Sequence, residues 1–312
     1  MSLSNRPALF VSMVASLTLA SCSLTRPAQT ASISTTTSTT STTVPMEPGW
    51  TTVATGAHGV MVDQKDVTVP DGRSITVIRF RAGQVRFGLH IGTQEPPVGK
   101  AVLGPDSLSY VGPTESPYLL AAFNGGFKVK DAVGGVEVGG QTLVPLVTGL
   151  GSFVIDTNGY GRIGIWGKTV PSPGEQVYSV RQNLPPLIEG GQLSPQIDNL
   201  KQWGDTLHGV AAPARSALGE DAAGDILYAA AMSALPIDLA TALGVDGATV
   251  AMQLDINPMW IQCDVSSTPG GPLSTTVPGQ TRPAGQYLVG WTRDFIAVLA
   301  PVGTSNTAVS SP

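Results

Sequence analysis

Two cysteines in 312 residues, Cys22 and Cys263, leave no disulfide framework, so an apolar core must hold the folded part. Charge is scarce too, at 12% of residues. A net charge of −5 offers no basic patch to nucleic acid or an anionic lipid surface. The three histidines, His58, His90 and His208, are far apart and lack the spacing of a zinc site. No Gly-x-Ser-x-Gly elbow occurs, which removes the nucleophile of an α/β-type serine hydrolase. Gly159-Tyr160-Gly161-Arg162-Ile163-Gly164 spells a dinucleotide fingerprint, but it runs from a hairpin turn into a strand pattern. No helix N-terminus follows to receive a pyrophosphate. Long alternation of strand and helix is also missing, which excludes a doubly wound parallel sheet.

Residues 1–21 carry one charge, Arg6, and an apolar stretch over 8–19 that is too short to span a membrane, the pattern of a signal peptide. It closes on Leu19-Ala20-Ser21-Cys22, which resembles a bacterial lipobox and implies acylation of Cys22. The other reading is a plain secretory signal ending near a cysteine. Either way the chain is expected to be exported, and with the lipid it is membrane-anchored and faces the cell envelope. Residues 22–47, mostly Ser and Thr, bury too little to offset the entropy of ordering and read as a tether. Residues 303–312 read as a second disordered segment. With Cys22 acylated, Cys263 is left as an unpaired thiol, expected to be buried as a small apolar side chain.

Residues 48–302 are long enough for one large domain, and their Gly- and Pro-rich, charge-poor composition suits strands joined by tight turns. Alternation predicts strands at Ser74–Arg81 and Val85–Ile91, paired as a hairpin. A second hairpin is predicted from Ser152–Asp156 and Arg162–Trp166 across an Asn158-Gly159 turn. Apolar runs predict buried strands at Tyr118–Phe123, Asp225–Ala231, Ala248–Leu254 and Asp294–Leu299. Leu235–Leu243 reads as a short helix with Pro236 in its first turn and Gly244 as its stop. The fold class expected is α+β: one strand-rich domain with a mixed or antiparallel sheet and a few short helices.

Three segments carry the chemistry. Phe123-Asn124-Gly125-Gly126-Phe127 ends an apolar strand in an amide and two residues without Cβ, which lets backbone N–H groups approach a ligand. Arg215 opens Arg215-Ser216-Ala217-Leu218-Gly219, and Asp255 leaves the buried run Met252-Gln253-Leu254. In this order the three segments resemble the phosphodiester glycosidase domain family, which includes the enzyme that uncovers mannose 6-phosphate, over roughly residues 75–300. The chain departs from the family pattern at Ile256-Asn257-Pro258, where glycines and a serine are usual, and at Lys128, where an aromatic is usual.

The resemblance implies hydrolysis of a sugar phosphodiester at the anomeric carbon, with Asn124, Arg215 and Asp255 as catalytic residues. A guanidinium suits the phosphate, and Asn124 with the N–H groups of Gly125 and Gly126 suits its oxygens. A carboxylate at Asp255 suits a nucleophile, a general base or a sugar-orienting group. Against these roles stand a salt bridge of Arg215 to Glu220 or Asp221, and capping of the Asn257-Pro258 turn by Asp255. Glu189, His208 and Asn257 are expected to bind substrate, and Glu137 or Glu189 to supply any second carboxylate. No cofactor is expected. Aspartates are scattered through 198–264 without ligand spacing, so a divalent metal stays open. The partner expected is a carbohydrate phosphodiester or cell-wall glycan, and the oligomeric state is left undetermined. The competing reading is a non-catalytic envelope lipoprotein that binds glycan or a protein through a degenerate cleft.

Overall fold

The computed structural model describes residues 47–96, 107–129, 134–204, 209–210 and 212–302, all within the compact unit Val44–Pro312. Cys22, His208, the signal segment and both predicted disordered segments, save Glu47, lie outside the described residues. Among the described residues, eighteen strands form three sheets. The largest runs β1 (Thr51–Gly56), β2 (Gly59–Thr68), β3 (Ser74–Phe80), β14 (Ile226–Ala231), β13 (Arg215–Asp221), β15 (Ala248–Gln253), β11 (Ile188–Glu189) and β12 (Gln192–Leu193). A five-stranded sheet orders β7 (Gln141–Val144), β6 (Val136–Val138), β10 (Val177–Gln182), β8 (Gly151–Asp156) and β9 (Gly161–Ile165). The third orders β17 (Ser274–Thr275), β16 (Cys263–Val265), β5 (Leu119–Asn124), β18 (Phe295–Leu299) and β4 (Arg86–His90).

The apolar runs are buried on both faces, and period two sorts their side chains into two cores. In β14, Ile226, Tyr228 and Ala230 enter the core shared by all three sheets. Leu227, Ala229 and Ala231 face the opposite way, toward α1 (Pro236–Val245). Phe80 of the large sheet stacks on Phe123 of the third at 5.7 Å. Phe87 of the third sheet meets Phe153 of the second edge-on at 5.4 Å. One aromatic chain thus ties the three sheets together.

The α+β expectation is overturned: the named strand ladders are all antiparallel, and the α-helices among the described residues are α1 and the four-residue α2 (Gln286–Val289), so the fold is essentially all-β. The helix expected at Leu235–Leu243 is real, but it caps one face of a sheet instead of building a layer. It runs past Gly244 to Val245 because the left-handed turn residue is Gly247, at φ 88°. The Asn158-Gly159 hairpin forms as β8–β9. The hairpin expected from Ser74–Arg81 and Val85–Ile91 does not. Both strands exist, but β3 has β2 on one edge and β14 on the other, so β4 crosses to the third sheet and pairs with β18. Cys263 is fully buried in β16, where loss of hydration raises its thiol far above the usual range and makes it inert. No helix among the described residues is long and apolar enough to cross a membrane.

Phe123 is fully buried where the sheets meet, and it also contacts Tyr228 at 5.1 Å. Phe123→Ala should cost about 3–5 kcal/mol in urea unfolding. A loss below about 1 kcal/mol would show that the three-sheet core is not shared.

Candidate active site

Strand ends from all three sheets meet at one place. β5 delivers Asn124, Gly125 and Gly126; the chain leaving β15 delivers Asp255; the chain entering β18 delivers Arg293 and Asp294; and β10 delivers Arg181. Four charged side chains are buried here in a charge-poor protein, with Arg181 2%, Asp294 1%, Arg293 5% and Asp255 5% exposed. They pair in order. Arg181 Nε donates to Asp294 Oδ2 at 2.7 Å, and Arg293 Nη2 lies 2.9 Å from Asp255 Oδ2. Backbone carbonyls take up further guanidinium donors: Arg181 reaches Phe127 and Gln182, and Arg293 reaches Gly126 at 2.8 Å.

Asp255 lines a cleft of about 210 Å³ together with Phe127, Lys128, Gly204, Asn257, Trp260 and Arg293. Ile256 N–H donates to Asp255 Oδ1 at 2.7 Å. Loss of hydration pushes the Asp255 carboxyl up to about 6; Arg293 and the Ile256 N–H restrain the rise, and Asp294 adds to it. Trp260 presents a partly buried ring with the Arg293 guanidinium 5.2 Å and Lys128 Nζ 5.9 Å from its centre. The cleft therefore joins a protonatable carboxyl, two cations and two aromatic faces. Among the described residues, no group of three histidine, cysteine or carboxylate side chains is placed to hold a metal ion.

The three expected catalytic residues are neighbours, but only Asp255 faces the cleft. Asn124 Nδ2 donates to Ser216 Oγ, and Ser216 N–H donates to the Asp255 carbonyl, so one hydrogen-bond chain links the motifs. The Asn124 amide is occupied on both sides. Nδ2 also donates to the Gly125 carbonyl, and Oδ1 accepts from Tyr228 OH at 2.8 Å and Gln262 N–H. Gly125 N–H donates to the Asp294 carbonyl. Arg215 is fully buried and donates to the carbonyls of Trp203, Gly204 and Ala234 and to Gln253 Oε1; Glu220 instead accepts from Ile163 N–H. It braces the wall that ends in the cleft-lining Gly204. Asn257 lines the cleft and caps its own turn through Met259 N–H at 2.9 Å, a role that sequence had weighed for Asp255. Glu189 pairs with Lys168 at a different cleft, and Glu137 accepts from Thr142 Oγ1 across the β6–β7 pair at the edge of the second sheet.

Compared with solved structures, the fold matches that of the zebrafish N-acetylglucosamine-1-phosphodiester alpha-N-acetylglucosaminidase catalytic domain, with a TM-score of 0.52 at 12% identity over 81% of this chain and 87% of that one. A hypothetical protein from Synechocystis gives 0.45 at 13% identity, over 77% of this chain and 62% of that one. No family model and no curated protein matches the sequence. The fold is thus shared with a phosphodiester glycosidase catalytic domain.

Arg181, Arg293, Asp294 and Trp260 were not singled out from sequence. Their signal was contextual: in a chain with so little charge, Arg293-Asp294 stands directly before an apolar strand and Arg181 sits near the end of another. Charges in such positions are buried and need partners.

The two glycines of Asn124-Gly125-Gly126 are explained by this network. A Cβ on Gly125 would lie 1.9 Å from Asp294 Oδ2, whereas one on Gly126 would lie 3.1 Å from the Arg181 guanidinium. Gly125→Ala should displace Asp294 from Arg181 and cost about 3–5 kcal/mol, the penalty for breaking a buried ion pair. Gly126→Ala should cost distinctly less, since a guanidinium can give by a few tenths of an ångström. Thermal unfolding of both variants checks the order, and equal losses would contradict it.

Proposed function

We propose that this protein is a hydrolase that cleaves a phosphate-linked sugar at its anomeric carbon in the Asp255 cleft. The observation that carries this reading is the Asp255–Arg293 pair, set beside Lys128 and Trp260 on a fold shared with a phosphodiester glycosidase catalytic domain. Trp260 and Phe127 offer apolar faces to a sugar ring, and Lys128 and Arg293 offer charge to the phosphate. Asp255, ionised at neutral pH with a carboxyl near 6, accepts a proton from water as the water oxygen bonds to the anomeric carbon. The bond from that carbon to the phosphate oxygen breaks, giving a free sugar and a phosphomonoester.

One carboxylate is enough for this reaction. A departing phosphate, whose second pKa is about 6, is a far weaker base than an alkoxide, so the acid that ordinary glycosidases use to protonate the leaving group is not required. Asp294 cannot supply that acid, being locked to Arg181 behind Gly125. Arg215 and Asn124 act as positioning residues: they hold the Gly204 wall and the Ser216–Asp255 backbone. The export and Cys22 acylation read from residues 1–22 would bring the domain to cell-envelope glycans carrying phosphate. The non-catalytic alternative has one observation in its favour, that both Asp255 oxygens already hold a donor.

A screen of sugar-1-phosphodiesters separates the two. Turnover should fall on the order of 10²-fold or more in Asp255→Asn, and wild-type kcat/KM should be lost as pH falls through about 6, where the base is protonated. Equal turnover in the variant would remove Asp255 from the mechanism. No turnover of any substrate would favour the binding role.

A further inference from the structure

Two residues before the cleft-lining Gly204, Gln202 lines a second cleft, of about 440 Å³, with Pro185, Pro186, Gln192, Leu193 and Gln196 among its walls. The two clefts share one partition, the 3-10 turn Leu200–Trp203. The Cα atoms of Gln202 and Gly204 cannot lie more than about 7 Å apart. Trp203 is fully buried inside the partition, and it is pinned from both directions. Its indole N–H donates to the Gln196 carbonyl at 2.8 Å, and its carbonyl accepts from Arg215 at 2.6 Å and Gln253 at 3.1 Å. The far wall is the β11–β12 hairpin, turned through Gly190 and Gly191 at φ 56° and 75°, and β11 pairs with β15, the strand that leads to Asp255. Both clefts are therefore built on one strand.

Their chemistry differs. The Asp255 cleft carries two cations and a carboxylate, whereas among the described residues Glu189 is the one charged residue lining the second cleft, and Lys168 pairs with it. The rest is amide, hydroxyl and apolar surface. Gln192 and Gln202 spend their side-chain amides on no other described residue, and each amide both donates and accepts. Beside them, three prolines and the half-exposed Leu193 supply apolar patches. Hydroxyl groups arrayed around a ring with apolar C–H faces match that mixture; a phosphate or a cation does not.

We propose that this second cleft binds uncharged sugar units of an oligosaccharide. Its placement as the extension of a glycan whose phosphate-linked unit occupies the Asp255 cleft rests on the hydrolase reading above, and the binding itself does not. The test uses the full-length protein and a panel of phosphate-free hexose and N-acetylhexosamine tetrasaccharides, read by calorimetry. At least one tetrasaccharide should bind. Gln192→Ala combined with Gln202→Ala, the first exposed and the second half-buried, should weaken it about tenfold with little change in melting temperature, because neither amide bonds another described residue, and Asp255→Asn should bind it as the wild type does. If no tetrasaccharide binds, or if the double variant binds as tightly as wild type, the proposal is overturned. Loss of binding in the double variant beside full turnover in Asp255→Asn would instead overturn the hydrolase reading and leave the sugar cleft standing.

Discussion

Burial of four charges at the junction of three sheets is the constraint on which the rest of this structure depends. Arg181 comes from the second sheet, Asp294 and Arg293 lead into the third, and Asp255 leaves the first. Each ion costs several kcal/mol to dehydrate, and the cost is offset only if pairing and carbonyl contacts are nearly complete. Here they are nearly so: Arg293 Nε is the one buried nitrogen of the two guanidiniums without a partner. The sheets must therefore close in one arrangement, and the Gly125-Gly126 turn has to be free of side chains for Asp294 and Arg181 to approach. Stability and site geometry come from the same contacts.

Much of the fold was legible in the sequence because the strands are short, apolar and bounded by turn residues. β5, β8, β9, β14, β15 and β18 lie where the apolar runs and the Asn158-Gly159 turn placed them. Pairing was legible only for the local Asn158-Gly159 hairpin. The β3–β4 hairpin failed because β3 finds its second edge partner in β14, nearly 150 residues later, and alternation records which residues alternate but not with whom a strand pairs. The α+β expectation failed because the one helix signal, Leu235–Leu243, was taken to stand for several short helices, whereas the elements among the described residues are overwhelmingly strands.

The site was legible in part, for a related reason. Asp255 was recognisable as a carboxylate leaving a buried strand, and it does open on the cleft. Arg215 and Asn124 had the right residue types and the right neighbourhood, but side-chain direction is invisible in a sequence. Their donors turn inward to carbonyls and a hydroxyl, and they support the site from behind. Ile256 and Asn257, at the departure from the family pattern, form part of the cleft wall. A Cβ on Gly204 would meet Ile256 Cδ1 at 2.7 Å, so this wall is tightly packed against the Trp203 partition.

Burial raises the Asp255 carboxyl, and among the groups that restrain it the Arg293 guanidinium acts most strongly. Carbon-detected NMR titration of the side-chain carboxyl, assigned against Asp255→Asn, measures this balance directly. The midpoint should lie near 6 in the wild type and higher in Arg293→Gln, where the cation that favours the anion is gone. A midpoint at the ordinary carboxylate value of about 4 in both proteins would contradict both expectations.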